Sequence, residues 1–219
     1  MRERIQGVPT VVYPESDGKP MAETDLHRDL MMDMILTLKH HFRDSPEVYV
    51  SGNLLVYYEE GNIQKSVAPD VFVVRGISKK LRRTYLLWEE APIDFVLEIA
   101  SSSTYKHDLT HKKTLYASTL GVQEYYIYVP YGAVVPRLQG YRLVNGVYDH
   151  LAFVENRLRS SVLGLDIGDH DGGLRLYDAS TGVWLQPPLE GLATAEARAE
   201  TAETELVKAL AELERLRGR

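Results

Sequence analysis

The chain has 219 residues, 44% of them hydrophobic, no cysteine and a formal net charge of −6. That size and apolar content suit one domain of generous size plus an appendage, and the lack of cysteine excludes disulfides and thiolate-bound zinc. No window approaches the roughly 18 consecutive apolar residues of a membrane helix, and residues 1–16 hold no apolar stretch long enough for a signal peptide, so a cytoplasmic, membrane-free protein is expected. An acidic balance counts against a dedicated nucleic-acid coat protein. Locally, however, Arg75, Lys79, Lys80, Arg82 and Arg83 crowd one stretch, and Lys106, Lys112 and Lys113 another. Either cluster can be a phosphate-binding patch or a solvated loop.

Residues up to about 22 are rich in Pro and Gly and read as a loop. From Thr24 or Asp25, either of which can cap a helix, Leu26, Leu30, Met34, Leu38 and Phe42 recur every fourth residue, which predicts a helix over 24–43 with one stripe facing a core. Short stretches rich in β-branched and aromatic residues predict strands at 48–50, 54–58 and 71–74, with a turn at Gly61 and Asn62. A polar loop containing Trp88 is expected over 76–92, then a strand over 93–100. Asp108 starts a second helix in which Leu109, Lys112 and Tyr116 share a face and which stops near Gly121. "EYYIYVP" is another strand. Segments around 138–144, 147–154, 161–167, 173–178 and 183–186 alternate with Gly, Asn and Asp turns and predict a meander. The order of elements gives an α/β fold of mixed α+β character, its sheet covered by helices. The 14 tyrosines read mainly as sheet packing.

Beyond this body, Leu192, Ala195, Ala199, Ala202, Leu206, Ala209, Leu213 and Leu216 alternate spacings of three and four, an uninterrupted heptad seam. Residues 1–190 therefore form the folded domain and 191–219 a coiled-coil helix, with a homo-oligomer, a dimer first, as the expected assembly. In a parallel pair Arg198 faces Glu203 and Glu212 faces Arg217 of the other chain. Four of the eight seam residues are alanine, so burial per layer is small and a lone solvated helix is the alternative.

The strand over 93–100 contains Glu98 among Phe95, Val96, Leu97 and Ile99. An ionised carboxylate between two covered sheet faces is costly unless it is paired or bound to metal. Asp70, just inside a strand opened by Pro69, is the best acidic partner: if the two strands are neighbours, about 4.8 Å apart, their carboxylates converge. Oxygen ligands of this kind suit Mg2+ or Mn2+. Taken singly, Asp70 can be an edge residue and Glu98 half of a buried ion pair. Lys112, on the first turns of the following helix, can swing back over the strand end, whereas Lys113 points about 100° away and is expected in solvent.

The ordered segments "APDVFVV", "DFVLEIASSST", "DLTHKKTLYASTLGVQEYYIYVP", "LQGYRL", "VLGLDI" and "LRLYDASTGVWL" resemble the Uma2 family of restriction-endonuclease-like proteins, within the PD-(D/E)XK nuclease superfamily, over roughly residues 20–186. The resemblance implies a restriction-endonuclease-like central mixed sheet flanked by helices, with extra C-terminal strands. It assigns Asp70 as the PD aspartate, Glu98 as the glutamate of (D/E)XK and the Ile99 carbonyl as a further metal ligand. The motif's lysine should be residue 100, where this chain has Ala100; Lys112 is the substitute, completing a catalytic set of Asp70, Glu98 and Lys112. His27 occupies a position where the family often has histidine, and it can equally be a helix-face histidine bonded to a neighbour. Glu23 or Asp25 could add a third carboxylate.

Other candidates are weaker. His40, His41, His107, His111, His150 and His170 lack zinc-type ligand spacing. The serines at 101–103 have no G-x-S-x-G context and read as a turn. Two functions follow: a Mg2+- or Mn2+-dependent endonuclease acting on DNA, or a catalytically inactive binding module on the same fold, assembled through its C-terminal helix.

Overall fold

The computed structural model describes residues 11–16, 18, 24–132 and 134–218. Its strands are β1 (Val48–Ser51), β2 (Val56–Tyr57), β3 (Ser66–Val67), β4 (Val71–Arg75), β5 (Tyr85–Leu86), β6 (Phe95–Ile99) and β7 (Glu124–Tyr128). They continue as β8 (Leu138–Val144), β9 (Val147–His150), β10 (Arg157–Arg159), β11 (Asp166–His170), β12 (Gly173–Asp178) and β13 (Val183–Trp184). A six-stranded sheet of order β1-β4-β6-β7-β8-β9 forms the centre; β10 to β13 make a second sheet and β3-β2-β5 a small third one. Within the central sheet β6 and β7 run parallel and the other neighbours antiparallel. The fold is thus a mixed α/β architecture with a helix on each face of its central sheet.

The strand alternation sorts the core into two layers. Phe95, Leu97 and Ile99 point to a cluster with Met34, Leu38, Val71 and Val73, and Val96 points to one with Phe72, Tyr116, Tyr125 and Ile127. The first layer is closed by the helix Asp25–His41, whose Leu30, Met31, Met34 and Leu38 lie at the three- and four-residue spacings of a single stripe. Thr24 caps it through a hydrogen bond from the His27 amide at 3.2 Å, and Lys79 Nζ donates to the Phe42 carbonyl at 2.6 Å beyond its other end. The second layer is closed by residues 105–120, a continuous helical segment with π turns at Asp108–Lys112 and Tyr116–Leu120. Gly121, at φ +65°, ends it in the left-handed conformation that glycine adopts without strain.

Tyrosine is the dominant large side chain of the second layer, and several of its buried hydroxyls find main-chain acceptors. Tyr125 donates to the Asp108 carbonyl at 3.0 Å, Tyr148 to the Val122 carbonyl at 2.8 Å and Tyr85 to the Ala91 carbonyl at 2.6 Å. A buried hydroxyl without an acceptor would cost about 1–3 kcal/mol.

Several segments differ from their sequence pattern. The apolar run at 161–167 is a strand only from Asp166; residues 161–165 are turns whose side chains Val162, Leu163 and Leu165 are nevertheless buried. Buried Glu124 on β7 ties that turn down, accepting from Ser160 Oγ at 2.5 Å, from the Ser161 amide at 2.9 Å and from Arg142 Nη2 at 2.9 Å. Burial alone would raise the Glu124 carboxyl, but these donors outweigh it and hold it below its usual value. The expected strand at 147–154 stops at His150, and farther on Glu155 and Asn156, at positive φ, turn the chain into β10. Residues 54–58 pair only at Val56–Tyr57, and the loop over 76–92 contributes β5, which carries fully buried Tyr85. The tail helix spans Pro188–Arg217 and buries no side chain. No helix among the described residues is long and apolar enough to cross a membrane.

Candidate functional site

β4 and β6 pair antiparallel with Val71 opposite Leu97, so Asp70 and Glu98 are the next cross-strand positions along the ladder. Asp70 is held by the backbone: its Oδ2 accepts the Ile99 amide at 2.7 Å. Its other oxygen lies 3.5 Å from His27 Nε2, at the start of the first helix. Glu98 is 1% exposed. Its Oε1 accepts the Tyr116 hydroxyl at 2.5 Å, and its Oε2 lies 2.9 Å from Lys112 Nζ. Lys112 is shared, since its ammonium is also 3.1 Å from Asp108 Oδ1, one turn earlier on the same helical segment.

Asp70, Glu98 and Lys112 are therefore linked through β4, β6 and the helical segment that covers them. Asp108 and Tyr116 join them, residues to which the sequence assigned no part in the site. Asp108, Lys112 and Tyr116 succeed one another at intervals of four, a stripe that lies over the buried carboxylate of β6. The stripe is readable in the sequence; that it faces Glu98 is not, because this depends on how the segment packs on the sheet. π turns often mark functional sites, and the one over Asp108–Lys112 carries both ends of the Lys112 ion pair.

The electrostatics follow from burial. Loss of solvent pushes the Glu98 carboxyl up to about 8; Lys112 and the Tyr116 hydroxyl pull it down, while Asp70 and Asp108 push it further up. Burial by itself would lower the Lys112 ammonium, but Glu98, Asp108 and Asp70 outweigh that and hold it above its ordinary range, fully charged at neutral pH. Tyr116 is raised well above its usual value, first by burial and then by Glu98, so it remains a donor. Glu98 Oε2 is buried and, apart from the Lys112 contact, accepts no hydrogen bond.

Backbone packing positions Asp70 from below. A Cβ on Gly52 would stand 2.0 Å from the Asp70 carbonyl oxygen, so the chain after β1 can pass here only as glycine. The Asn53 amide donates to the Pro69 carbonyl at 2.8 Å, fastening the same crossing.

The remaining candidates lie elsewhere. Asp25 is exposed and paired with Arg28 at 2.9 Å, and Glu23 falls outside the described residues. Ser101, Ser103 and Thr104 bond one another. His107 packs on His111 and His170 on Trp184, and no three His, Cys, Asp or Glu side chains among the described residues form a metal-binding group. Lys113, expected in solvent, instead stands 3.6 Å from the centre of the Tyr141 ring, where a cation–π contact holds its stem against the sheet. The basic stretch at 75–83 is occupied internally: Lys80 and Arg82 pair with Glu90, Arg83 with Glu15, Lys79 with carbonyls beyond the first helix, and Arg75 with the Val162 carbonyl. Arg75, Lys79 and Arg82 thereby hold the chain together, while Lys80 and Arg83 stay largely in solvent.

A family model described as "Uma2: Putative restriction endonuclease" matches residues 10–168. Among solved structures the chain is similar to a "putative nuclease belonging to DUF820 from Anabaena variabilis ATCC 29413", at 14% identity and a TM-score of 0.47, over 66% of this chain and 76% of that one. None of the curated proteins matches.

Proposed function

The chain belongs to the Uma2 family, and on that premise we propose that it hydrolyses phosphodiester bonds of DNA with the help of Mg2+ or Mn2+. One observation carries the reading: two carboxylates on paired strands, one of them fully buried, share their surroundings with a charged lysine from the covering helical segment.

The donor set fits a hard cation. Asp70, Glu98 and the Ile99 carbonyl would hold it, all oxygen ligands, and Glu98 Oε2 is a buried acceptor that meets only the Lys112 ammonium. Such a cation polarises a phosphoryl oxygen and lowers the pKa of water. The chain's own residues set the geometry. The Ile99 amide fixes the rotamer of Asp70, and the Tyr116 hydroxyl fixes that of Glu98. Lys112 brings an ammonium to the site, aimed by Asp108, where it can offset charge accumulating on the phosphate. Ala100 supports the reassigned lysine: it is 1% exposed and packed in the same core cluster as Tyr116, a place without room for a lysine side chain.

The test is cleavage of single- and double-stranded DNA with Mg2+, with Mn2+ and with a chelator. Cleavage is expected only with metal, and Asp70→Asn is expected to reduce its rate by about 100-fold or more. Absence of metal-dependent cleavage on every substrate, or an Asp70→Asn protein as active as the parent, would sink the proposal. The regular heptad seam of the tail favours a second reading, a catalytically inactive binding module on the same fold assembled through that helix. DNA retained on a filter but never cut would support it.

A further inference from the structure

We propose that the C-terminal helix pairs two copies of this chain in a parallel, in-register, two-stranded coiled coil. The helix Pro188–Arg217 has no buried residue, and an ion pair between Glu190 and Arg175, 2.6 Å apart, fastens its first turn to β12. Beyond that turn its apolar side chains are open: Leu192 is 56% exposed, Leu206 59%, Leu213 51% and Leu216 57%. Past residue 194 every described residue of the helix is exposed, so that stretch buries nothing to offset its ordering unless another surface covers it.

The charges beside the seam say which surface. With Leu192, Ala199, Leu206 and Leu213 at a, and Ala195, Ala202, Ala209 and Leu216 at d, the g positions are Arg198, Glu205 and Glu212 and the e positions Glu196, Glu203, Leu210 and Arg217. A parallel dimer pairs each g with the next e of its partner. That joins Arg198 to Glu203 and Glu212 to Arg217, while Glu205 meets Leu210, so no like charges meet. An antiparallel dimer that aligns Leu192 with Leu216 instead pairs g with g and e with e. It brings Glu205 against Glu205 and Glu203 against Glu203 at the middle of the helix, repulsions set against its Arg198–Glu212 attractions, whereas the parallel pair has attractions alone. The layers run Leu, Ala, Ala, Ala, Leu, Ala, Leu, Leu along the seam, and the small alanine layers suit two strands because they let the helices approach closely. Leu210, 53% exposed at an e position, widens the stripe on the side that faces the partner.

The absence of cysteine gives a clean test of orientation. Sedimentation of the full chain at micromolar concentration is expected to show a dimer, and Leu206→Glu to raise the dissociation constant about 100-fold or more, because the charge enters a layer between two helices. The unchanged near-UV spectrum of the body would show that the variant still folds. Leu216→Cys, the single cysteine of its chain, is expected to give a disulfide-linked dimer on oxidation, since a parallel register sets the two residues 216 side by side. A monomeric wild type, with the helix left free or kept for a different protein, would overturn the proposal. So would a dimer indifferent to Leu206→Glu, and a dimer whose Leu216→Cys form never crosslinks would overturn the parallel register.

Discussion

Lys112→Met is expected to lower the unfolding free energy by about 3 kcal/mol at pH 8, because it leaves two buried carboxyls without their shared counter-charge. Glu98 and Asp108 are 1% and 2% exposed, and the Lys112 ammonium stands within 2.9 and 3.1 Å of them. The methionine keeps the volume of the stem, so the loss reports the charge and not a cavity. The deficit should depend on pH in a set direction. Glu98 is raised in the folded chain, from an ordinary 4.5 to about 8. Its contribution to stability is therefore complete below about 4.5 and is lost as pH rises through about 8. Without Lys112 the carboxyl is raised further, so the variant goes on losing stability above about pH 8, where the parent has levelled off, and the gap between them widens from about pH 7 to about pH 9. Urea unfolding at the two pH values measures it. An equal deficit at both, or one below about 0.5 kcal/mol, would mean that the ion pair carries little of the strain of burying Glu98. Combining Lys112→Met with Glu98→Gln should recover part of the loss, as expected for residues in contact.

Gly52→Ala is expected to injure both the fold and the proposed activity, although Gly52 bears no functional group. The new methyl would stand 2.0 Å from the Asp70 carbonyl oxygen and 2.7 Å from Ile35 Cδ1. The isoleucine tip can swing aside, but the carbonyl belongs to the backbone leading into β4 and moves only if Asp70 moves with it. Overpacking of this kind costs about 3 kcal/mol, and a displacement on the order of 1 Å at a reacting group can cost about 100-fold in rate. Unfolding in urea and metal-dependent cleavage should therefore both fall. An alanine variant as stable and as active as the parent would show that the β1–β4 crossing does not position Asp70.

How much of this was legible in the sequence varies with the physics of each part. Glu98 stands out because a carboxylate in "FVLEI" contradicts the burial of its neighbours, and a charge in an apolar strand has few cheap explanations. Asp70 and Lys112 are legible as partners for that carboxylate, one from the strand opened by Pro69 and one from the following helix, and the family motif with its gap at Ala100 supplies their roles. Asp108 was visible only as a helix start and Tyr116 only as sharing a helix face with Lys112, since their parts in the site depend on which face of residues 105–120 lies on the sheet. The Gly52 contact is a close approach of two backbones distant in sequence, with no periodicity to reveal it. The run at 161–165 misled for another reason: burial and strand formation usually go together, but here Glu124 and Ser160 satisfy a buried turn, and the apolar residues serve as a plug. The basic cluster at 75–83 could not be decided by composition, because its charges are neutralised by Glu15, Glu90 and main-chain carbonyls.

The long helical segment, the strand alternation and the tail have in common that a single period runs through each, which is why they are readable. The site is made where three such elements meet, and meetings have no period. What remains is to see the cation. Anomalous scattering from a crystal soaked in Mn2+ should show a peak between the carboxylates of Asp70 and Glu98, beside the Ile99 carbonyl, and no peak there in Asp70→Asn. Wild-type crystals with no peak at that point, and Glu98 still bonded only to Tyr116 and Lys112, would contradict the assignment of these residues as a metal site.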